Sequence, residues 1–385
     1  MTQLGFGWTD CRFPRQTCGG QLKERENPVR WVSQTSRWSS GSYWGGTNQN
    51  SLLKIMKLHP LLPGLLAIVV VISTTLLLFR SPPSSHSELV ATETDVEGDA
   101  RDRSSWNEED WSIFETKVSW ALGQGLDTLS VGRVMAKIGR SFVGTAYVPG
   151  TLEVEGPESL VINFRGLDCV TFVENVFAMS RFVRAAGART LLRDRKSAED
   201  FYESILSEHR YRNGQVRGYP SRLHYFSDWV GDNHRRGLVH DISTELQGII
   251  DAEAIDFMST HPDAYAQLVD TSNVSLIKET EGRLSLTGRV YIPEDRIHEV
   301  VRDIHDGDII AATSTLAGLD VAHTGLALWI DETLHLLHAP LVGEAVQISE
   351  ISLAERINTI EGQDGIIIAR PQEAPRRGAP SAREG

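Results

Sequence analysis

The sequence predicts an α+β fold, with helices gathered in the first half and strands in the second. Two observations carry this. Apolar residues recur at helical spacing through about residue 210, and after about residue 289 they fall into short runs bounded by turn residues. Composition agrees: of 385 residues, 41% are hydrophobic and 23% charged, ordinary for a globular chain. In order, 111–122 and 129–142 carry helical spacing. Asp168 is a good N-cap, and Phe172, Val176, Met179 and Val183 form one apolar stripe, so a helix opens at Cys169. Residues 197–210 read as another helix, and 249–269 contains at least one more. Strands are expected at 289–292, 308–312, 345–348 and 365–369. Between them, 320–329 and 334–340 flank the acidic turn Asp331-Glu332, a hairpin whose two strands look buried on both faces.

The N-terminal region is of another kind. Residues 61–79 are an uncharged apolar run, long enough to span a bilayer, preceded by Lys54 and Lys57 and followed by Arg80. Residues 1–57 hold eight Lys or Arg against three Asp or Glu, a positive excess that keeps this end cytoplasmic. The expected organisation is a disordered tail or overcalled start at 1–57, a signal anchor or transmembrane helix at 58–80, and a polar linker at 81–103. A catalytic domain at 104–370 and a disordered tail at 371–385 follow. The domain would then lie outside the cytoplasm, anchored to the membrane by its N-terminal helix.

Cys169 is the only cysteine after residue 18. In the first turn of a helix a thiol faces unpaired N–H groups and the positive end of the dipole, both of which favour thiolate. A small buried hydrophobe is the plainer reading of a lone cysteine. In an exported domain, however, an unpartnered thiol is open to oxidation, so its retention suggests a use. Asp168 orients rather than reacts, since capping already explains it. His323 opens one strand of the hairpin and His338 closes the other, so the two can sit side by side. That suits a cysteine hydrolase, in which one imidazole shuttles the proton and a second polar group fixes its tautomer; a hydrogen-bonded core pair would look the same.

At this point five segments carry a resemblance: Val143-Gly144-Thr145-Ala146-Tyr147, 167–174 around Cys169, 219–229, His323-Thr324-Gly325 and Leu337-His338-Ala339. Together they resemble the N-acetylmuramoyl-L-alanine amidase-like family, long catalogued as a domain of unknown function. That family is similar in turn to the NlpC-type cell-wall cysteine peptidases of the papain-like clan. The resemblance runs over 104–370. It implies a papain-like, NlpC-type α+β fold with a helical insertion, in which the nucleophile helix packs on the antiparallel sheet. It makes Cys169 the nucleophile, His323 the general base and His338 the orienting third member, and it sets Tyr147 beside the nucleophile, where its phenol could donate to the oxyanion or the substrate. His335 has no counterpart. Ala146 stands where proline is usual and Pro340 where serine is common, and neither change removes a catalytic group.

The substrate so implied is peptidoglycan or its muropeptides, with no cofactor. The family name suggests the bond between N-acetylmuramic acid and L-alanine, the wider clan the γ-D-glutamyl to diamino-acid bond; both stay open. An acyltransferase using the same triad, and a wall-binding module without turnover, are the other classes. The cluster Arg222, His224, Tyr225 and Asp228 has two readings. It could be a groove wall in which Arg222 pairs with a peptide carboxylate, or an internal network pinning an insertion to the core. The net charge of −13 argues against nucleic acid as a partner, and the twelve histidines do not recur at metal-ligand spacing.

Overall fold

The protein is described by a computed structural model that covers residues 106–341 and 344–373. The expected tail, anchor and linker, Cys11 and Cys18, and residues 374–385 lie outside the described residues. Among the described residues no helix is long and apolar enough to cross a membrane.

Helices come first. Helix α1 (Glu108–Gly123) is capped by Asn107, whose side chain accepts from Asp110 N at 2.8 Å, and it buries Trp111, Phe114, Val118 and Leu122. Helix α2 (Val131–Ser141) follows; then strands β1 (Ala146–Tyr147) and β2 (Gly166–Leu167) form a short parallel pair. Helix α3 (Cys169–Arg184) buries every residue from Thr171 to Val183 except Arg181, so it is a core helix wrapped on all sides. Helix α4 (Arg195–Arg210) packs against it, and Glu174 meets Arg210 at 2.6 Å with both side chains buried.

The sheet is antiparallel throughout and runs in the order β4-β5-β10-β6-β7-β8-β9, with β3 also pairing β10. Its strands are β3 (Val239–Asp241), β4 (Ile249–Asp251), β5 (Arg289–Pro293), β6 (Ile309–Ser314), β7 (Val321–Ile330), β8 (Thr333–His338), β9 (Gln347–Ile348) and β10 (Gln363–Pro371). With helices on one side of the chain order and an antiparallel sheet on the other, the fold is α+β, as expected.

Residues alternate between two cores with the period of two that strands impose. Ile309, Ala311, Leu326, Leu328, Leu337 and Ile367 join the core shared with α2 and α3. Ile310, Ala312, Ala327, Leu336, Ile366 and Ile368 join a second core closed by helix α7 (Leu353–Thr359) through Leu353 and Ile357. Both faces are covered, so the hairpin reads as near-continuous apolar runs. Gly139 lets α2 lie close: a Cβ there would stand 2.9 Å from Leu337 Cδ2 and 3.0 Å from Leu326 Cδ1.

Between β2 and β5 the chain inserts helix α5 (Phe226–Arg235), helix α6 (Thr271–Thr287) and a small third core of Tyr219, Tyr225, Met258, Ile277 and Leu284. Residues 249–269 open with β4, whose Ile249–Asp251 pairs with Arg289–Tyr291, and hold the expected further helix as the short Phe257–Thr260; the long helix α6 starts two residues after this stretch. The C-terminal boundary moves outward. Strand β10 runs to Pro371, and Glu373 accepts from Val131 N at 2.8 Å and pairs with Arg184 at 2.8 Å.

Candidate active site

Cys169 is the first residue of α3, and the cap that starts this helix is reciprocal. Asp168 Oδ1 accepts from Thr171 N at 2.8 Å, while Thr171 Oγ1 accepts from Asp168 N at 2.9 Å. Asp168 therefore has the capping role its position suggested. The helix start is tied to the sheet by Thr324, whose hydroxyl donates to Cys169 O at 2.8 Å. Thr324 is the neighbour of His323 on β7.

The histidines meet across the hairpin. Leu326 pairs with Leu337, which sets His338 opposite Gly325 and diagonal to His323 on the face that α7 covers. Gly325 makes this possible. A Cβ there would stand 3.0 Å from His338 Cβ and 2.8 Å from Leu336 Cδ1, so any side chain would push the two imidazoles apart. His323 Nε2 and His338 Nδ1 are 2.7 Å apart, with ring planes at 84°. His338 Nε2 is buried without a hydrogen-bond partner among the described residues.

Electrostatics hold this group neutral. Burial pushes the half-buried Cys169 thiol up to about 11, the Asp168 carboxylate adds to the rise, and hydrogen bonds from Thr324 pull the other way. The pull of the helix dipole toward thiolate is thus opposed by desolvation and by the adjacent carboxylate. Burial, then the charge of Arg356, holds His338 down at about 3. His323 lies well below the usual imidazole range, through burial, then His338 and Arg356. Tyr147 on β1 is half-buried, and its phenol is raised by burial, then by Cys169 and Asp168, which marks it as their neighbour.

The second cluster turns inward. Arg222 is 5% exposed; it pairs with Glu153 at 2.5 Å and Glu158 at 3.6 Å, donates to Leu152 O at 2.7 Å, and stacks over Tyr219. Asp228 is gripped by Arg212 at 2.6 Å and Arg283 at 3.2 Å. His224 Nε2 lies 2.9 Å from Tyr219 O, and burial holds its imidazole well below the usual range. Of the two readings of this cluster, these contacts fit the internal network, which pins the 152–158 loop onto the insertion. His335 is likewise satisfied, with Nδ1 2.8 Å from Ser349 O. Two residues that sequence reasoning passed over bear on the site. Thr324 was inside a quoted motif without a role, and Arg356 on α7 gave no signal.

The chain is similar to known proteins over most of the described residues. The model of the N-acetylmuramoyl-L-alanine amidase-like family matches residues 137–366. Among solved structures, an N-acetylmuramoyl-L-alanine amidase from Bacteroides uniformis is similar at 34% identity and a TM-score of 0.58, over 63% of this chain and 99% of that one. A Bacteroides fragilis protein described as a candidate xylanase is 35% identical with a TM-score of 0.54, over 60% of this chain and 98% of the other. A comparison with the curated proteins gives no match.

Proposed function

The chain belongs to the N-acetylmuramoyl-L-alanine amidase-like family, and from that premise we propose that it is a cell-wall amidase acting on peptidoglycan or muropeptides through Cys169, His323 and His338. The observation that carries the reading is the imidazole pair at 2.7 Å on the strand that Thr324 ties to Cys169. The mechanism proposed on this basis is papain-like, of the NlpC type.

His323 takes the thiol proton on Nδ1 while its Nε2–H donates to His338 Nδ1, an arrangement that holds in both charge states of His323. The sulfur attacks the amide carbonyl of the lactyl group on muramic acid. The cap consumes the N–H groups of Thr171 and Phe172. Those of Cys169 and Val170 at the open helix end, with the Tyr147 phenol, then serve the oxyanion. The amide nitrogen leaves as the amino group of L-alanine, carrying the proton from His323. Water then attacks the thioester, gives its proton to His323, and releases the acid while the sulfur recovers a proton. In this reading residues 58–80 anchor the chain and the domain works outside the cytoplasm, as the apolar run and its basic flanks support.

The test is to incubate the full chain, and its Cys169→Ala form, with purified peptidoglycan and defined muropeptides and to read the products by mass. Free stem peptide beginning at L-alanine is expected from the wild type alone. A dipeptide ending in D-glutamate would move the cut to the endopeptidase bond, a transfer product would make it an acyltransferase, and identical spectra from both chains would end the enzyme reading.

A further inference from the structure

Among the described residues, the buried and half-buried arginines have carboxylates, with one exception. Arg210 has Glu174, Arg222 has Glu153, Arg289 has Asp251 and Arg370 has Asp308. Arg356 is the exception beside the histidines. It is half-buried on α7, and among the described residues no carboxylate lies within ion-pair distance. Among the described residues its guanidinium makes one hydrogen bond, from Nη1 to Gln363 Oε1 at 3.4 Å, which leaves most of its five donors unspent there.

Its place in the fold matters. Helix α7 packs on the sheet face that carries His323, Gly325 and His338. Gln363, which Arg356 touches, opens β10 opposite Ser314 at the end of β6, and this is the end of the sheet where β7 begins and His323 projects. The charge of Arg356 bears on both imidazoles and disfavours their protonation. Such a cation next to a catalytic base opposes the proton transfer the base must perform. An anion on the guanidinium removes that opposition.

We propose that Arg356 is a substrate-binding residue of this site, taking a carboxylate of the peptide stem in a two-pronged ion pair. The proposal rests on the hydrolase reading above. A planar guanidinium with free donors matches a carboxylate in geometry as well as charge. Specificity then follows from the unpaired cation: a substrate whose carboxylate is amidated leaves it half-desolvated and alone.

Binding without turnover tests this. The Cys169→Ala chain is titrated by calorimetry with N-acetylmuramoyl-L-alanyl-D-glutamate, and with the same compound carrying both carboxylates as amides. The acid is expected to bind at least about tenfold tighter than the diamide. That ratio should fall to about one when Arg356→Leu or Arg356→Gln is added, and recover in part with Arg356→Lys; thermal unfolding reports whether each variant is folded. A ratio unchanged by both neutral variants, equal binding of acid and diamide, or no binding of either overturns the proposal. The hydrolase reading is decided separately, by whether the wild-type chain yields products that Cys169→Ala does not.

Discussion

Two polar clusters of this molecule, one around Cys169 and one around Arg222, differ in whether their charges are paired. Around Arg222 each charge meets an opposite one, although Arg222 Nε, 3.6 Å from Glu158, makes no hydrogen bond among the described residues. Glu153 and Glu158 meet the arginine, Arg212 and Arg283 meet Asp228, and His224 rests on Tyr219 O. Around Cys169 groups are left over: His338 Nε2 is buried and unpartnered among the described residues, Arg356 lacks a carboxylate, and the thiol and both imidazoles are held neutral. A network whose charges are paired fixes shape. One that holds an unpaired cation keeps capacity for something that arrives.

The sharpest way to break this comparison is to remove the sulfur. Cys169→Ala should cut product formation by more than about 10³-fold in the mass assay while leaving the thermal unfolding temperature nearly unchanged. Arg222→Leu should do the reverse. It leaves Glu158 buried and unpaired, so urea unfolding should register a loss of about 3–5 kcal/mol, with kcat of the folded fraction intact. His338→Gln should lower kcat about 100-fold at little cost in stability, because it removes an orphaned nitrogen along with the orienting acceptor.

The same variant has a pH signature. His338 is held by burial and Arg356 at about 3, below the usual imidazole range, so the unfolded chain binds the proton first. Its contribution to stability is present above about pH 6.5 and is lost as pH falls through about 3. A series of urea midpoints from pH 7 to 4 should show this decline flattened in His338→Gln by up to about 1.4 kcal/mol per pH unit. The smallest effect is expected at Glu373→Ala, about 0.5–1 kcal/mol, since its three hydrogen bonds are partly or fully exposed.

Which parts could be read from sequence follows from range. The start of α3 was legible because Asp168, Cys169 and Thr171 act within one turn. The hairpin was legible because each strand carries its own apolar run and the turn between them fixes the register that pairs His323 with His338. The internal character of Arg222 was hidden, as its partners Glu153 and Glu158 lie more than sixty residues upstream and nothing local announces them. Helix α6 escaped for a different reason: it buries only Ile277, Glu281 and Leu284, too thin a stripe to set a period. Arg356 sits on a seven-residue helix, where a single arginine reads as solvent-facing; only the fold shows that, among the described residues, no acid comes within ion-pair distance of it.

The resting charge state of Cys169 has a practical consequence for chemical labelling. With the thiol pushed upward by burial and by Asp168, little of it is thiolate at neutral pH, so small alkylating reagents should modify Cys169 slowly despite its place at a helix start. A covalent probe for this protein needs the features that bring the sulfur into play, a muramoyl-peptide frame and a free carboxylate, with the electrophile at the lactyl carbonyl. Built that way, its selectivity comes from the activation step rather than from the reactivity of the warhead.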